Sequence, residues 1–313
     1  MAQRSCDSRI SELVDGLRGP LRVAVRGRDG VGRATAAAAL AQAGLTVTDG
    51  ADADIAVVVV AEALKPEDRA MVAAPGPTLV VLNKADLAGF GAGGPIAVAD
   101  RRAADLQART GVPTVPMVAL LAVASLDDEL IAALGVLAAE PCDLTTTDGF
   151  VSAEHSLPRG VRERLLATLD LFGIAHAVLA LGQGTPAEAL EATLRRLSQV
   201  DRVMSRLTAV GAEVRYQRTR SALVSLRALA AAGAPAVAEY LSGDEPVLAL
   251  MAAAVDVVEA AGLPVDDADD RSAHLQRAVV WNRYSRGPVN RLHQHCGLDI
   301  CRGSLRLMQR AAL

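Results

Sequence analysis

Aromatic residues are scarce in this chain, and so are lysine and cysteine. Phe, Trp and Tyr make up 2% of the 313 residues, although 51% of the residues are hydrophobic. The core must therefore be built from Ala, Val and Leu, which favours closely packed helices and buried parallel strands. The four cysteines lack the spacing of a disulfide framework. This excludes a small disulfide-rich secreted fold and predicts a reduced, cytoplasmic protein.

Long apolar runs and a strong excess of one charge are also missing. Ile55–Ala61 and Met117–Ala124 are among the longest apolar runs, and both are too short to span a bilayer. Asp7 and Glu12 stand where a signal peptide would have its apolar segment. The formal net charge is −4, so no nucleic-acid partner is expected. The predicted helices carry mixed charge rather than a basic amphipathic stripe, so membrane binding by the chain alone is not expected.

The segment Thr78–Leu87, T-L-V-V-L-N-K-A-D-L, is the most informative stretch. Its continuous apolar part is typical of a strand buried on both faces of a parallel sheet. The polar residues after it would lie at the carboxyl end of the strand, where open α/β sheets bind ligands. The Asp86 carboxylate can accept two hydrogen bonds, which matches adjacent N–H groups on the pairing edge of guanine. Asn83 can donate and accept, and Lys84 can cover a base plane with its aliphatic stem.

This N-K-A-D sequence after a predicted strand resembles the base-recognition motif of the P-loop GTPases. The resemblance implies that Asp86 recognises guanine, that Asn83 ties its loop to the phosphate-binding loop, and that Lys84 covers the ring. The implied ligand is GTP or GDP. Of the 32 basic residues only Lys65 and Lys84 are lysine, so a chain that otherwise uses arginine keeps lysine in this motif. A surface turn with the same four letters is the alternative.

A glycine-rich loop joins the first predicted strand, Leu21–Arg26, to a predicted helix at Ala34–Ala43. Strand, glycine loop and helix form the context that a phosphate-binding loop requires, because glycines let backbone N–H groups converge on a phosphate at a helix N-terminus. The loop resembles the pattern G-x-x-x-x-G-K-[ST]. The resemblance implies these phosphate-binding residues: Gly27, Asp29, Gly30, Gly32, Arg33 and Thr35.

Two positions of this loop depart from the family pattern. Arg33 stands where the family has lysine, and the planar guanidinium does not replace a compact ammonium. Ala34 stands where a hydroxyl would bind Mg²⁺, so a Mg²⁺ cofactor stays possible but lacks its usual ligand. An ordinary glycine-rich βα turn is the alternative interpretation.

Only Leu45–Asp54 separate the first helix from the next predicted strand, Ile55–Val60. A working P-loop GTPase needs a switch threonine and an Asp-x-x-Gly to close on Mg²⁺ and the γ-phosphate. The tetrapeptide at 49–52, D-G-A-D, does not spell that motif. We therefore expect both switches to be deleted or vestigial and hydrolysis to be weak or absent, which leaves open whether the chain is an enzyme.

Further along, the pattern predicts a glycine-rich loop, three helices and a last strand. Ala119 follows that strand and resembles the central alanine of a family turn whose N–H contacts the guanine oxygen. Ser125 is predicted to cap the third helix, which ends near Ala139. In chain order the predicted segments are Glu62–Ala73, Gly89–Pro95 (the loop), Asp100–Thr110, Val112–Met117 (the strand) and the helix that Ser125 caps.

The predicted organisation is a leading helix in 1–20, a P-loop GTPase-like α/β domain with a parallel sheet in 21–140, a polar linker in 141–149 and an all-α domain in 150–313. A capping box is predicted at 185–188, T-P-A-E. The all-α region is similar, in architecture only, to the helical tails of dynamin-like GTPases. Its predicted helices are Arg159–Leu171, Ala187–Leu197, Val200–Val210, Thr219–Ala231, Ala236–Leu241, Pro246–Ala261, Ser272–Trp281 and Pro288–Gln309.

Two features of the last helices invite a chemical interpretation. His293, Cys296 and Cys301 could ligate a metal, but they match no zinc spacing, and a helix surface with packed cysteines is the alternative. Trp281 and Tyr284 are expected to anchor helix packing.

Three hypotheses follow from the sequence. The first is a guanine-nucleotide-binding regulatory protein that hydrolyses little or no GTP and uses its helical domain to bind a protein partner, for which another GTPase is a candidate. The second is a pseudo-GTPase scaffold that binds no nucleotide and partners a catalytically intact dynamin-like GTPase. The third, an enzyme acting on ATP, is disfavoured by the N-K-A-D motif.

Overall fold

The structure is a computed structural model that describes residues 10–17, 19–50 and 52–311. The chain divides into two compact units. The sheet unit comprises Leu21–Leu207, and the helical unit comprises Met1–Pro20 with Thr208–Leu313. Of the predicted leading helix, residues 10–17 are helical and form α1, whereas residues 1–9 and 18 lie outside the described residues.

Five parallel strands form one sheet in the order β2-β1-β3-β4-β5. The two central strands, β3 and β4, pair from Ala56 opposite Thr78 to Ala61 opposite Asn83, and nearly all of their side chains are buried. Their sequences are continuously apolar because both faces of each strand are buried, as expected. The prediction of a parallel α/β sheet is confirmed. The strands are β1 (Arg22–Arg26), β2 (Thr46–Thr48), β3 (Ile55–Ala61), β4 (Thr78–Asn83) and β5 (Thr114–Pro116).

The edge strand β2 lies in the interval where the sequence suggested only a vestigial switch. Thr46 pairs with Arg22 and Thr48 with Ala24, both in parallel register. The strand has three residues and none is fully buried. Such a short, half-exposed strand has no apolar run that a sequence pattern could detect.

Helices cover the sheet and build the second unit. A 3₁₀ turn at Ala85–Leu87 follows β4, and another at Ala187–Ala189 precedes α9. The helices after α1 are α2 (Arg33–Gln42), α3 (Pro66–Val72), α4 (Gly94–Thr110), α5 (Ala119–Ala122), α6 (Asp128–Ala139), α7 (Thr147–Ser152), α8 (Arg159–Gly182), α9 (Leu190–Ser198), α10 (Val200–Ala231), α11 (Pro235–Ser242), α12 (Glu245–Ala260), α13 (Arg271–Ser285) and α14 (Arg291–Arg310).

The two compact units divide inside α10 rather than at the expected linker in 141–149. Helices α7 to α9 belong to the sheet unit, because Phe150, Leu165 and Leu190 are fully buried in the same apolar core as Val80 of β4. The end of the expected linker is itself helical, since α7 begins at Thr147. Long-range packing of α7 to α9 therefore decides where the units divide.

Several predicted helix starts were wrong. Helix α6 is capped by the Asp127 carboxylate, which accepts from the N–H of Leu130, and not by Ser125. The predicted capping box leads into a 3₁₀ turn, and α9 starts only at Leu190. Helix α4 begins at Gly94, inside the predicted glycine loop. Local capping signals fix helix ends only to within a few residues.

Helix α8 is the one helix among the described residues that is long and apolar enough to cross a membrane, judged by length and composition alone. Leu165, Leu169 and Ile174 on this helix are buried in the core of the sheet unit. Its helical geometry is interrupted at Asp170. Part of the apolar surface of α8 is therefore buried by packing within the sheet unit.

In the helical unit, α10, α12, α13 and α14 enclose a second core. Trp281 is 5% exposed, and its ring meets the Tyr284 ring edge-on at 5.0 Å, which confirms the expected packing role of this pair. Helix α14 comes close to α12 at Gly303, where an added Cβ would lie 2.3 Å from the Sδ atom of Met251. A glycine at this position therefore lets α12 and α14 pack closely.

Candidate functional site

The glycine loop connects β1 to the N-terminus of α2. Gly27, Gly30 and Gly32 have φ angles of 156°, 82° and 80°, which side chains rarely adopt. Gly32 is the N-cap of α2, and no side chain caps this helix. The first N–H groups of α2 therefore remain donors for an anion, as a phosphate-binding loop requires.

Asn83, at the end of β4, joins this loop to the loop after β5. The side chain is buried, its Nδ2 donates to the carbonyl of Val31 at 2.9 Å, and its Oδ1 accepts from the N–H of Ala119 at 2.9 Å. Gly32 leaves the room for this contact, since a Cβ there would lie 2.4 Å from Nδ2. One amide thus links the carboxyl-end loops of β1, β4 and β5, and the bond to Val31 is the connection that the resemblance implies for Asn83.

The hydrogen bond to Asn83 bears directly on Ala119. The sequence suggested that the N–H of Ala119 contacts a guanine oxygen, but in this structure that donor is already used by Oδ1 of Asn83. Ala119 is therefore part of the framework that holds the three loops together.

Lys84 and Asp86 extend from the turn after Asn83. Lys84 has a left-handed backbone with φ 58° and an exposed side chain, and the next N–H, from Ala85, donates to the carbonyl of Met117 at 3.1 Å. Asp86 is half-buried in the 3₁₀ turn. Burial raises the pKa of its carboxyl, the charge of Asp170 raises it further, and its own backbone N–H and Lys84 lower it. Because burial disfavours the charged form of this carboxyl, hydrogen bonds donated by a ligand would stabilise that form.

Asp170 is a residue of this corner that the sequence analysis missed. It interrupts α8 with φ 54° and ψ 174°, and its Oδ1 accepts from the N–H of Leu171 at 2.7 Å. Beside it, α8 lies against α5, since a Cβ on Gly173 would be 2.6 Å from Cδ2 of Leu121. The sequence feature that could have indicated Asp170 is its position as an acidic residue within the apolar run of α8. A second carboxylate therefore acts on Asp86.

We expect Asp170→Asn to lower the pKa of Asp86. The amide removes the like charge, keeps a similar shape and tolerates a positive φ. Because the Asp86 pKa is raised in the folded chain, its charge is lost earlier than usual as the pH falls, and the substitution shifts that loss to lower pH. Carboxyl chemical shifts measured by NMR across an acid titration would report the change. An unaltered Asp86 titration would contradict the proximity of the two carboxylates.

A partly buried ion pair ties the glycine loop to α3. The Nε of Arg28 lies 3.0 Å from Oδ2 of Asp68, a residue with no exposed surface, and the same oxygen accepts from the N–H of Lys65. In the same loop, Nη1 of Arg33 reaches back to the carbonyl of Gly27 at 3.5 Å. These contacts connect the glycine loop to α3 and the first residue of α2 back to the loop.

The remaining sequence-predicted residues lie on the same edge of the sheet. Asp29 and Arg33 are exposed on the glycine loop and at the start of α2, and Thr35 is half-buried in the first turn of α2. The structure therefore brings together, around the carboxyl ends of β1, β4 and β5, all the residues that the sequence proposed: Gly27, Asp29, Gly30, Gly32, Arg33, Thr35, Asn83, Lys84, Asp86 and Ala119.

The His and Cys residues of α14 serve other contacts. His293 Nδ1 meets the hydroxyl of Tyr284 at 2.7 Å, and Cys296 is fully buried. Burial raises the pKa of the Cys296 thiol to about 12, which disfavours the thiolate that binds metals. Within residues 10–17, 19–50 and 52–311, no three His, Cys, Asp or Glu side chains are grouped to hold a metal ion.

Comparisons with protein families, curated proteins and solved structures give no significant match for this chain. The class that the geometry itself defines is an α/β protein with a five-stranded parallel sheet and additional helices, in which three loops meet at the carboxyl edge of the sheet.

Proposed function

We propose that this chain is a guanine-nucleotide-binding regulatory protein with weak or absent GTP hydrolysis. The observation that carries the proposal is the double hydrogen bond of Asn83, which fixes a glycine loop and an Asp-containing turn on one edge of the sheet. In the proposal, the phosphates lie on the N-terminus of α2, Asp86 accepts hydrogen bonds from the guanine edge, and Lys84 covers the base.

Three features support weak hydrolysis. Ala34 carries no oxygen for Mg²⁺. The interval after α2 contains the edge strand β2 and is too short for a switch that closes on the γ-phosphate. The Arg28–Asp68 pair already holds the glycine loop, so ordering this loop does not require a γ-phosphate.

Calorimetric titration of nucleotide-stripped protein with GDP, GTP and ATP, each with and without Mg²⁺, tests this proposal. The expected result is guanine-selective binding that depends little on Mg²⁺, with no measurable turnover in a phosphate-release assay. Equal binding of ATP, or no heat with any nucleotide at high protein concentration, would remove the proposal.

Restoring the hydroxyl at position 34 should make binding respond to the metal. In Ala34→Ser, the new oxygen lies at the start of α2, where the resemblance implies a Mg²⁺ ligand. We expect millimolar Mg²⁺ to strengthen GTP binding of this variant by about tenfold, a gain of roughly 1.4 kcal/mol, and to leave the original chain nearly unchanged. Ala38→Ser, on an exposed position of the same helix, is the matched control. A Mg²⁺ response equal to that of the control would argue against a phosphate at this loop.

The alternative is a scaffold that keeps the framework but binds no nucleotide. Two observations favour it. The Oδ1 atom of Asn83 occupies the N–H of Ala119, and the charge of Asp170 raises the pKa of Asp86. Such a chain would bind a protein partner through its helical unit, and a catalytically intact GTPase is the candidate. The titration with GDP separates the two proposals, because the scaffold would release no heat. A pull-down with the helical unit would then test whether the chain binds a partner.

A further inference from the structure

A second candidate site lies entirely within the helical unit. A cavity of about 380 Å³ opens between α10, α12 and α14. Arg220 and Arg227 are two helical turns apart on α10, and His295 and Arg302 have the same spacing on α14, so each pair lies on one face of its helix. The lining also includes Leu223, Val224, Leu250, Leu298 and Asp299.

Buried contacts hold the polar side of this cavity in place. The hydroxyl of Tyr216, which has no exposed surface, donates to Oδ2 of Asp299 at 2.7 Å. The other carboxylate oxygen of Asp299 accepts from Nη1 of Arg302 at 3.0 Å. Asp299 is itself 5% exposed. Arg302 is thereby oriented by a buried carboxylate before any ligand arrives, which lowers the entropic cost of binding.

Arg220 is oriented from two sides. Its guanidinium carbon lies 5.7 Å from the centre of the Tyr216 ring, and its Nη1 donates to Nδ1 of His295 at 2.7 Å. Since a guanidinium can only donate, Nδ1 of His295 is the acceptor in this contact, which corresponds to the tautomer with its proton on Nε2. The second ring nitrogen of His295 is then a further donor.

The charge of the lining is unbalanced. Arg220, Arg227 and Arg302 are three cations, and Asp299 is the single carboxylate among the lining residues. Within the part of the chain that the structure describes, Arg302 pairs with Asp299, and no carboxylate lies within ion-pair distance of Arg220 or Arg227. Arg220 is half-buried and Arg227 is exposed. Guanidinium groups without a counter-charge favour an anion, and their planar shape suits phosphate oxygens in particular.

We propose that this cavity binds the phosphate group of a small phosphomonoester. Arg220 and Arg227 contact the phosphate, Arg302 closes the polar side, and the aliphatic side chains pack against the organic part. The apolar part of the lining distinguishes the ligand from free phosphate, because it gains from a group that leaves water. The proposal does not depend on the proposed nucleotide site, which lies in the other unit.

Calorimetry with phenyl phosphate and inorganic phosphate as probes tests this inference. We expect phenyl phosphate to bind about tenfold tighter than inorganic phosphate, because its ring reaches the apolar lining. Arg227→Gln removes one exposed guanidinium without disturbing the core and should weaken phenyl phosphate binding by about tenfold. No binding of either probe at millimolar concentration would overturn the proposal.

Two control variants locate the bound phosphate. Arg310→Gln, in the last turn of α14 and outside the cavity, should leave binding unchanged. Arg33→Gln, in the proposed nucleotide site at the start of α2, tests whether the phosphate binds in the sheet unit instead. Loss in Arg33→Gln with retention in Arg227→Gln would move the phosphate to the sheet unit and refute the cavity site.

Vesicle sedimentation separates two sources of the same group. Co-sedimentation with phosphatidic acid vesicles but not with phosphatidylcholine vesicles, reversed by phenyl phosphate, would assign the site to a lipid phosphate. Binding of phenyl phosphate without co-sedimentation would assign it to a soluble phosphomonoester.

Discussion

In Asp86→Asn, GDP affinity is expected to fall by about 100-fold or more, and xanthine nucleotide binding is expected to appear. The carboxylate accepts from both the ring N–H and the exocyclic amino group of guanine, whereas an amide presents a donor where the second acceptor was. Xanthine has a carbonyl in place of that amino group, so the amide can donate to it. Calorimetry with GDP and xanthosine diphosphate measures both effects in one protein.

The gain of xanthine binding is the control against misfolding, because a variant that only unfolds binds neither nucleotide. Loss of GDP binding without any xanthine binding, in a chain of normal circular dichroism, would contradict the role of Asp86 in base recognition.

The charge of Asp86 also lowers the stability of the fold when no nucleotide is bound, since burial and Asp170 both raise the pKa of its carboxyl. The uncharged variant should therefore have the higher melting temperature at neutral pH. This difference should begin to shrink as the pH falls below the raised pKa of Asp86, and it should be gone once the pH is below the ordinary carboxyl pKa, where the unfolded chain is neutral at this position as well.

Replacement of Asn83 by Ala should lower the free energy of unfolding of the sheet unit by about 3 kcal/mol. The change leaves the carbonyl of Val31 and the N–H of Ala119 buried without their partner, and each such group costs about 1–3 kcal/mol. The glycine loop also loses its link to β4, so nucleotide affinity should fall in the same variant. Urea unfolding followed by far-UV circular dichroism measures the stability.

The choice of signal and control matters for this variant. Trp281 and the three tyrosines all lie in the helical unit, so their fluorescence does not follow the sheet unit directly. Asn282→Ala, at a half-buried position of α13, is the matched control and should cost well under 1 kcal/mol. A loss in Asn83→Ala no larger than that of the control would mean that the three loops hold together without the amide.

The covalent sequence by itself indicated the interior strands of the sheet and the residue types at its carboxyl edge. Continuous apolar runs marked β3 and β4 because a strand buried on both faces has no polar side chains. The left-handed positions of the glycine loop required glycine. The types of side chain after β4 provide the hydrogen-bond donors and acceptors on which the proposed guanine site depends. These features depend on residues that are neighbours in the chain, so a local pattern can predict them.

Only the tertiary structure decided how distant residues act together. Asn83 meets partners 52 and 36 positions away, and the pairing of Arg28 with Asp68 spans 40 positions. Asp170 contributes its charge to the Asp86 corner only because α8 packs on α5. The cavity of the helical unit is lined by three arginines only because α10 and α14 bring them to one place. The division inside α10 has the same cause, since burial of α7 to α9 in the first core is a sum of long-range contacts. Such contacts cannot be predicted from the periodicity of the sequence, because they depend on the shapes and distances of side chains in the folded chain.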